Sequence, residues 1–225
     1  IYADLLSQKE EFHGFFSYLN YYPRGDASSL IKSFYHGKLC SNSDVAYIAE
    51  RYPVELAYVL AMISAEDTTS IMPGWVNMRY PAVSNVIRLV CNTPCTEGCP
   101  YCRSRLNIYR RLKQIFGYDD FRKYDGENLQ ERAVQAAVDN QSLLAIFPTG
   151  GGKSITFQLP ALMAGELSKA LTVVISPLQS LMKDQVDNLE KKGIVDAVTI
   201  NGLLSPIERA DAIERVENGL ASILY

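Results

Sequence analysis

Phe147-Pro148-Thr149-Gly150-Gly151-Gly152-Lys153-Ser154 is the stretch that decides the fold of the second half of this chain. An apolar run, Ser142-Leu143-Leu144-Ala145-Ile146-Phe147, leads into it, and from Ile155 to Gly165 the apolar residues recur at helical spacing. Glycines between a buried strand and a helix start form a phosphate-binding loop. Without Cβ atoms in the way, backbone N–H groups can curl around an anion where the helix dipole favours negative charge. Pro148, Thr149, Gly150, Gly151 and Gly152 supply that backbone, Lys153 reaches the β- and γ-phosphates, and the Ser154 hydroxyl ligates Mg²⁺. Phe147 stands where a first glycine is common.

Outward from the loop the pattern is regular. It predicts a helix over 129–139, strand 142–147, helix 153–167, strand 171–176, helix 178–192, strand 197–200, helix 204–219 and strand 222–225. Short Val/Ile/Leu runs alternating with helices imply right-handed crossovers and a parallel sheet covered on both faces. Ligands of such sheets bind at the C-terminal ends of the strands, where the loop, Ser176-Pro177 and Asn201-Gly202 all fall.

The chain has 225 residues, 48% hydrophobic and 21% charged, which suits one or two globular domains. The formal charge of −3 predicts that any nucleic-acid site is a local patch. No apolar run approaches the roughly 18 residues of a membrane span and no leader is evident, so an intracellular, cytoplasmic protein is expected, nucleoid-associated if bacterial. A start at Ile1 and a stop at Tyr225 inside an apolar run suggest a piece of a longer protein.

Residues 1–90 read as mainly helical and of unknown role. Ser43 and Asp44 are candidate N-caps, and Pro53 opens a helix through Val54, Leu56, Ala57, Val59, Leu60 and Ile63. Phe12, Phe15, Phe16, Tyr18, Tyr21, Tyr22 and Phe34 are expected to pack in a small core rather than to stack on bases. His13 and His36 have no ligand partner nearby in sequence and are read as structural or surface residues.

Four of the five cysteines, Cys91, Cys95, Cys99 and Cys102, fall within twelve residues. In an intracellular protein that spacing points to a metal, with Pro94, Gly98 and Pro100 supplying the turns. Four thiolates satisfy one tetrahedral Zn²⁺; an iron–sulfur cluster takes the same ligands, and unligated thiols are the third reading. Cys95, Cys99 and Cys102 also resemble the cluster motif of radical S-adenosylmethionine enzymes, although a nucleotide loop follows here instead of their β/α barrel. Arg103, Arg105, Arg110, Arg111 and Lys113 then form the basic face of an amphipathic helix, so 91–113 reads as a metal-binding segment and basic helix. Such a face is either solvated or laid along a phosphate backbone.

Over residues 114–225 the chain resembles RecQ-type DNA helicases, members of superfamily 2. Phe116-Gly117-Tyr118-Asp119-Asp120-Phe121-Arg122 resembles their opening motif, the glycine loop their first helicase motif, and Val174-Ile175-Ser176-Pro177-Leu178-Gln179-Ser180-Leu181-Met182-Lys183-Asp184-Gln185 their next one. The resemblance implies the N-terminal part of a RecA-like motor domain that binds ATP and Mg²⁺ and translocates on single-stranded DNA to unwind duplex DNA. It implies adenine contacts from Tyr118, Arg122 and Gln130, and single-strand contacts from Ser176, Leu178, Ser180, Lys183 and Gln185. It also implies that an Asp-Glu-Ala-His motif and a second motor domain follow Tyr225, so that residues 1–225 alone are expected to be inactive. The alternative is a nucleotide-gated DNA-binding scaffold. Lys123 to Leu129 intervene between Arg122 and Gln130, whereas the family places that glutamine about three residues after the arginine, and the cysteines lie upstream of the motor rather than after it.

Overall fold

The computed structural model describes residues 24–64, 74–148 and 150–225. The aromatic residues expected in a core before residue 23, together with His13 and Thr149, lie outside the described residues. Two compact units divide at Tyr101 and Cys102. The predicted 91–113 segment is therefore shared, its first eleven residues in one unit and the remainder in the other.

The first unit is helical: α1 (Arg24–Phe34), α2 (Val45–Arg51), α3 (Pro53–Ser64), α4 (Gly74–Arg79) and α5 (Val83–Ile87), which runs on into a π-helical turn over Arg88–Asn92. The Asp44 side chain accepts a hydrogen bond from the Tyr47 N–H and caps α2, and Pro53 opens α3, where its missing N–H costs nothing. Ile31, Tyr35, Ile48, Val59, Leu60, Val86 and Val90 close the core. Phe34, expected inside, is 79% exposed, because the buried stripe of α1 runs through Ile31 and Tyr35 and passes beside it. His36 is exposed, as a surface residue should be.

The second unit begins with a π-helical turn over Cys102–Leu106 and continues through α6 (Ile108–Phe116), α7 (Leu129–Val138), α8 (Ile155–Ser168), β1 (Thr172–Val173), α9 (Gln179–Glu190), β2 (Ala197–Val198), α10 (Pro206–Glu217) and β3 (Ile223–Leu224). The strands pair in parallel in the order β1-β3-β2, with Thr172 and Ala197 both opposite Ile223. Side chains alternate across a strand, and here they sort into two clusters. Ala197 and Ile223 join Leu159 and Leu162 of α8 and Val186 and Leu189 of α9, whereas Val198 and Leu224 meet Ala212 of α10. Helices thus cover both faces of a parallel sheet, the architecture expected from the alternating pattern.

One expectation needs correction. Residues 142–147 are not a strand: none of the described segments ladders with them, and Leu144 and Ile146 stand 88% and 81% exposed. A short apolar run becomes a strand only by exchanging hydrogen bonds with a neighbour, a condition that local sequence does not contain. Of the basic residues after the cysteines, Arg103, Arg105, Arg110 and Lys113 are exposed, as on a solvated face, and Arg111 is buried. Arg105 and Arg111 converge on Glu166 of α8, and Lys113 reaches Asp119 at 2.6 Å.

Candidate nucleotide-binding loop and cysteine cluster

The glycine loop is shaped by backbone that only glycine tolerates well. Gly150 and Gly152 take φ of +75° and +64°. Gly151 sits so close to its neighbours that a Cβ there would lie 2.8 Å from the Pro148 carbonyl oxygen and 3.3 Å from the Tyr124 ring and hydroxyl. The Gly151 N–H donates to the Pro148 carbonyl (3.1 Å), and Lys153 Nζ lies 3.4 Å from the Phe147 carbonyl oxygen. Ser154 is the N-cap of α8, and its hydroxyl makes no capping bond.

Two of the three residues expected at the adenine lie against this loop. The buried Gln130 accepts from the Arg122 N–H through Oε1 (2.8 Å) and donates from Nε2 to the Gly152 carbonyl (2.9 Å). Arg122 Nη1 donates to the Gly150 carbonyl at 3.0 Å. The seven intervening residues therefore leave Arg122 and Gln130 joined. Tyr118 is 46% exposed, stacks on Phe116 at 6.3 Å, and has Lys192 Nζ 4.9 Å from its ring centre. Sequence reasoning missed Tyr124, whose ring packs on Phe147 with centroids 5.1 Å apart. A signal was present in Asp125-Gly126, the dipeptide of a tight hairpin, which makes the insertion a structured element.

Of the residues expected at DNA, Leu178, Ser180 and Lys183 are exposed and Ser176 is half-buried. The Ser176 hydroxyl accepts from the Leu178 N–H at 3.4 Å, a turn that leads into α9. Gln185 is held inward, accepting from Gln158 Nε2 at 2.9 Å, and the same nitrogen is 3.0 Å from the Tyr225 hydroxyl.

The cysteines form a cluster, with a change of membership. The sulfurs of Cys40, Cys95, Cys99 and Cys102 all lie within 4.8 Å of one another, a set that could hold a metal ion. Cys91, expected as a ligand, is not among them. It lies fully buried in the apolar core beside Val86 and Val90, where burial pushes its thiol up to about 12. Cys40 is brought in by the chain after α1: its N–H donates to the Val90 carbonyl (2.9 Å), and its own carbonyl accepts from the Ser43 N–H (3.2 Å) and hydroxyl (2.7 Å). The Cys95 sulfur accepts from the Cys99 N–H at 3.2 Å and from Asn42 Nδ2 at 3.6 Å. The signal available in sequence was the company each cysteine keeps. Cys91 follows Leu89-Val90, whereas Cys40 precedes Ser41-Asn42-Ser43, turn residues like those around Cys95 and Cys99.

Residues 127–225 match the DEAD/DEAH box helicase family, so the second half of the chain carries a helicase domain of that class. About half of the chain is homologous to RecQ helicases. It is 37% identical over 121 residues to the ATP-dependent DNA helicase RecQ of Synechocystis, covering 54% of this chain and 23% of that protein. Against the RecQ helicases of Haemophilus influenzae and Bacillus subtilis the identities are 40% and 44%, each over 114 residues and 51% of this chain, and 17% and 18% of those proteins. The aligned stretch thus spans less than a quarter of each of these relatives. Among the described residues no helix is long and apolar enough to cross a membrane.

Proposed function

We propose that the intact protein is an ATP-dependent DNA helicase that unwinds duplex DNA by translocating on single-stranded DNA. The observation that carries this reading is the joining of two separate motifs at one loop: Arg122 and Gln130, from the helicase opening motif, both bond carbonyls of the glycine loop, Gly150 and Gly152. Bound ATP would supply the free energy of translocation. Its phosphates would lie on a loop so tightly folded that a Cβ at Gly151 would run into the Pro148 carbonyl oxygen and Tyr124. Lys153 would neutralise phosphate charge, Ser154 would hold Mg²⁺ through its hydroxyl, and Arg122 and Gln130 would turn from the loop carbonyls toward the nucleotide. Leu178, Ser180 and Lys183 offer an exposed face to a single strand, with Ser176 at its edge. A second motor domain following this chain would complete the cleft, and the protein would work inside the cell, where its DNA is.

For the cysteine cluster the metal we favour is a single Zn²⁺. Four sulfurs about 2.3 Å from one tetrahedral ion stand about 3.8 Å apart. The Cys40 and Cys99 sulfurs are 3.8 Å apart, and the whole set lies within 4.8 Å. An iron–sulfur cluster places its thiolates on separate irons and needs them wider.

Lys153→Ala in the intact protein tests the motor. An exposed loop lysine contributes nothing to the core, so the variant should fold normally and lose ATP-dependent strand separation by two orders of magnitude or more. Undiminished unwinding would overturn the helicase reading. A wild-type protein that changes its DNA affinity with ATP but never separates strands would support a nucleotide-gated scaffold instead.

A further inference from the structure

The seven residues that separate Arg122 from Gln130 build a small device of their own. Tyr124 and Glu127 exchange backbone hydrogen bonds, Tyr124 N–H to the Glu127 carbonyl at 3.0 Å and Glu127 N–H to the Tyr124 carbonyl at 2.8 Å. Asp125 and Gly126 between them take φ of +48° and +86°. This is a two-residue hairpin with both central residues left-handed, the turn for which Asp-Gly is suited. Its effect is to fix the direction of one side chain. The Tyr124 ring lies against Phe147, and its hydroxyl reaches the middle glycine of the loop, 3.3 Å from where a Gly151 Cβ would be.

That hydroxyl is buried and has no hydrogen-bond partner among the described residues. A buried tyrosine hydroxyl normally has one, and leaving it without is costly. Packing alone would be served as well by phenylalanine. The hydroxyl can donate to an acceptor that arrives later, and it lies beside Gly151 in the middle of the glycine loop, with Lys153 two residues on and the Arg122 guanidinium beside Gly152.

Resting on the reading of this loop as a nucleotide site, we propose that Tyr124 is a nucleotide-binding residue whose hydroxyl donates a hydrogen bond to a phosphate oxygen of the bound nucleoside triphosphate. The hairpin is then a positioning element for that contact.

The test compares Tyr124→Phe and Lys153→Ala with the wild-type intact protein. Thermal unfolding is followed without nucleotide, and calorimetric affinities are measured for Mg²⁺ with ADP and with a non-hydrolysable ATP analogue. One hydrogen bond to a charged acceptor corresponds to about a tenfold change in affinity. The expectation is that Tyr124→Phe weakens nucleotide binding about tenfold while the nucleotide-free protein melts no lower than wild type, since the orphaned hydroxyl is gone. Unchanged affinity in Tyr124→Phe, with Lys153→Ala weakened, overturns this inference and leaves the loop reading intact. A lower melting temperature of nucleotide-free Tyr124→Phe also overturns it, by showing that the hydroxyl is already used within the protein. Wild type and Lys153→Ala binding equally, or neither binding, overturns the loop reading and this inference with it.

Discussion

The Cys99 sulfur lies 3.8 Å from the sulfur of Cys40, a residue 59 positions earlier in the chain. A thiol from a turn after a helix is thereby added to three thiols of a short cysteine-rich segment, and Cys91 is displaced from the set. Substituting Cys40 with Ser should therefore release the metal, while Cys91→Ser should keep it. Elemental analysis of the intact protein checks this: about one zinc per chain in wild type and Cys91→Ser, and little in Cys40→Ser. Structural zinc sites contribute roughly 10 kcal/mol or more of apparent binding energy in small peptides, so Cys40→Ser should also lower the melting temperature. Zinc retained in Cys40→Ser and lost in Cys91→Ser would restore the ligand set expected from spacing.

Gly165 on α8 meets Ser222 ahead of β3 with no room between them. A Cβ at Gly165 would lie 2.0 Å from the Ser222 hydroxyl oxygen and 2.5 Å from its Cβ. Gly165→Ala should cost about 1–3 kcal/mol, the range for overpacking a close contact. Adding Ser222→Gly should return much of that loss, because the obstructing atoms belong to the Ser222 side chain. Chemical denaturation of the two single variants and the double variant measures the coupling; additive effects would mean that the helix and strand move apart freely.

Lys183 is an exposed cation on α9. If it contacts the phosphate backbone of a single strand, Lys183→Ala should reduce the salt slope of DNA binding by about 0.7 and weaken binding to all sequences alike. Binding isotherms over a salt series decide the matter, and an unaltered slope and affinity would remove Lys183 from the DNA face.

Helix α10 begins with a reciprocal cap: the Ser205 hydroxyl accepts from the Glu208 N–H at 3.3 Å, and the Ser205 N–H donates to the Glu208 carboxylate at 2.8 Å. The backbone hydrogen bond from Ser205, then its side chain, and more weakly the Lys183 charge hold the Glu208 carboxyl below its ordinary value of 4.5. A lowered folded pKa means that this stabilisation is complete above the unfolded value and lost as pH falls through the folded one. Between about pH 5 and 3 the wild type should therefore lose more stability than Glu208→Gln does, as read from melting temperatures across that range. Parallel pH profiles would show that the cap does not depend on the charge.

What the sequence determined by itself is local or repetitive in kind. Three glycines before Lys153-Ser154 announce an anion loop because only such residues permit that backbone, and alternating helical and apolar runs announce a parallel sheet with both faces covered. Asp44 and Pro53 mark helix starts because capping acts within four residues. Tertiary structure alone decided what depends on distant partners. Leu144 and Ile146 look like strand residues, but a strand exists only through a neighbour. Cys91 lies close to Cys95, Cys99 and Cys102 in sequence yet enters the apolar core, while Cys40 reaches the cluster because its turn hangs on the Val90 carbonyl. The pairing of Arg105 and Arg111 with Glu166, which belongs to another helix, is likewise invisible in the local sequence. Tyr124 illustrates both halves: Asp125-Gly126 predicts its hairpin, and only the packed loop reveals that its hydroxyl lies beside Gly151 with no hydrogen-bond partner among the described residues.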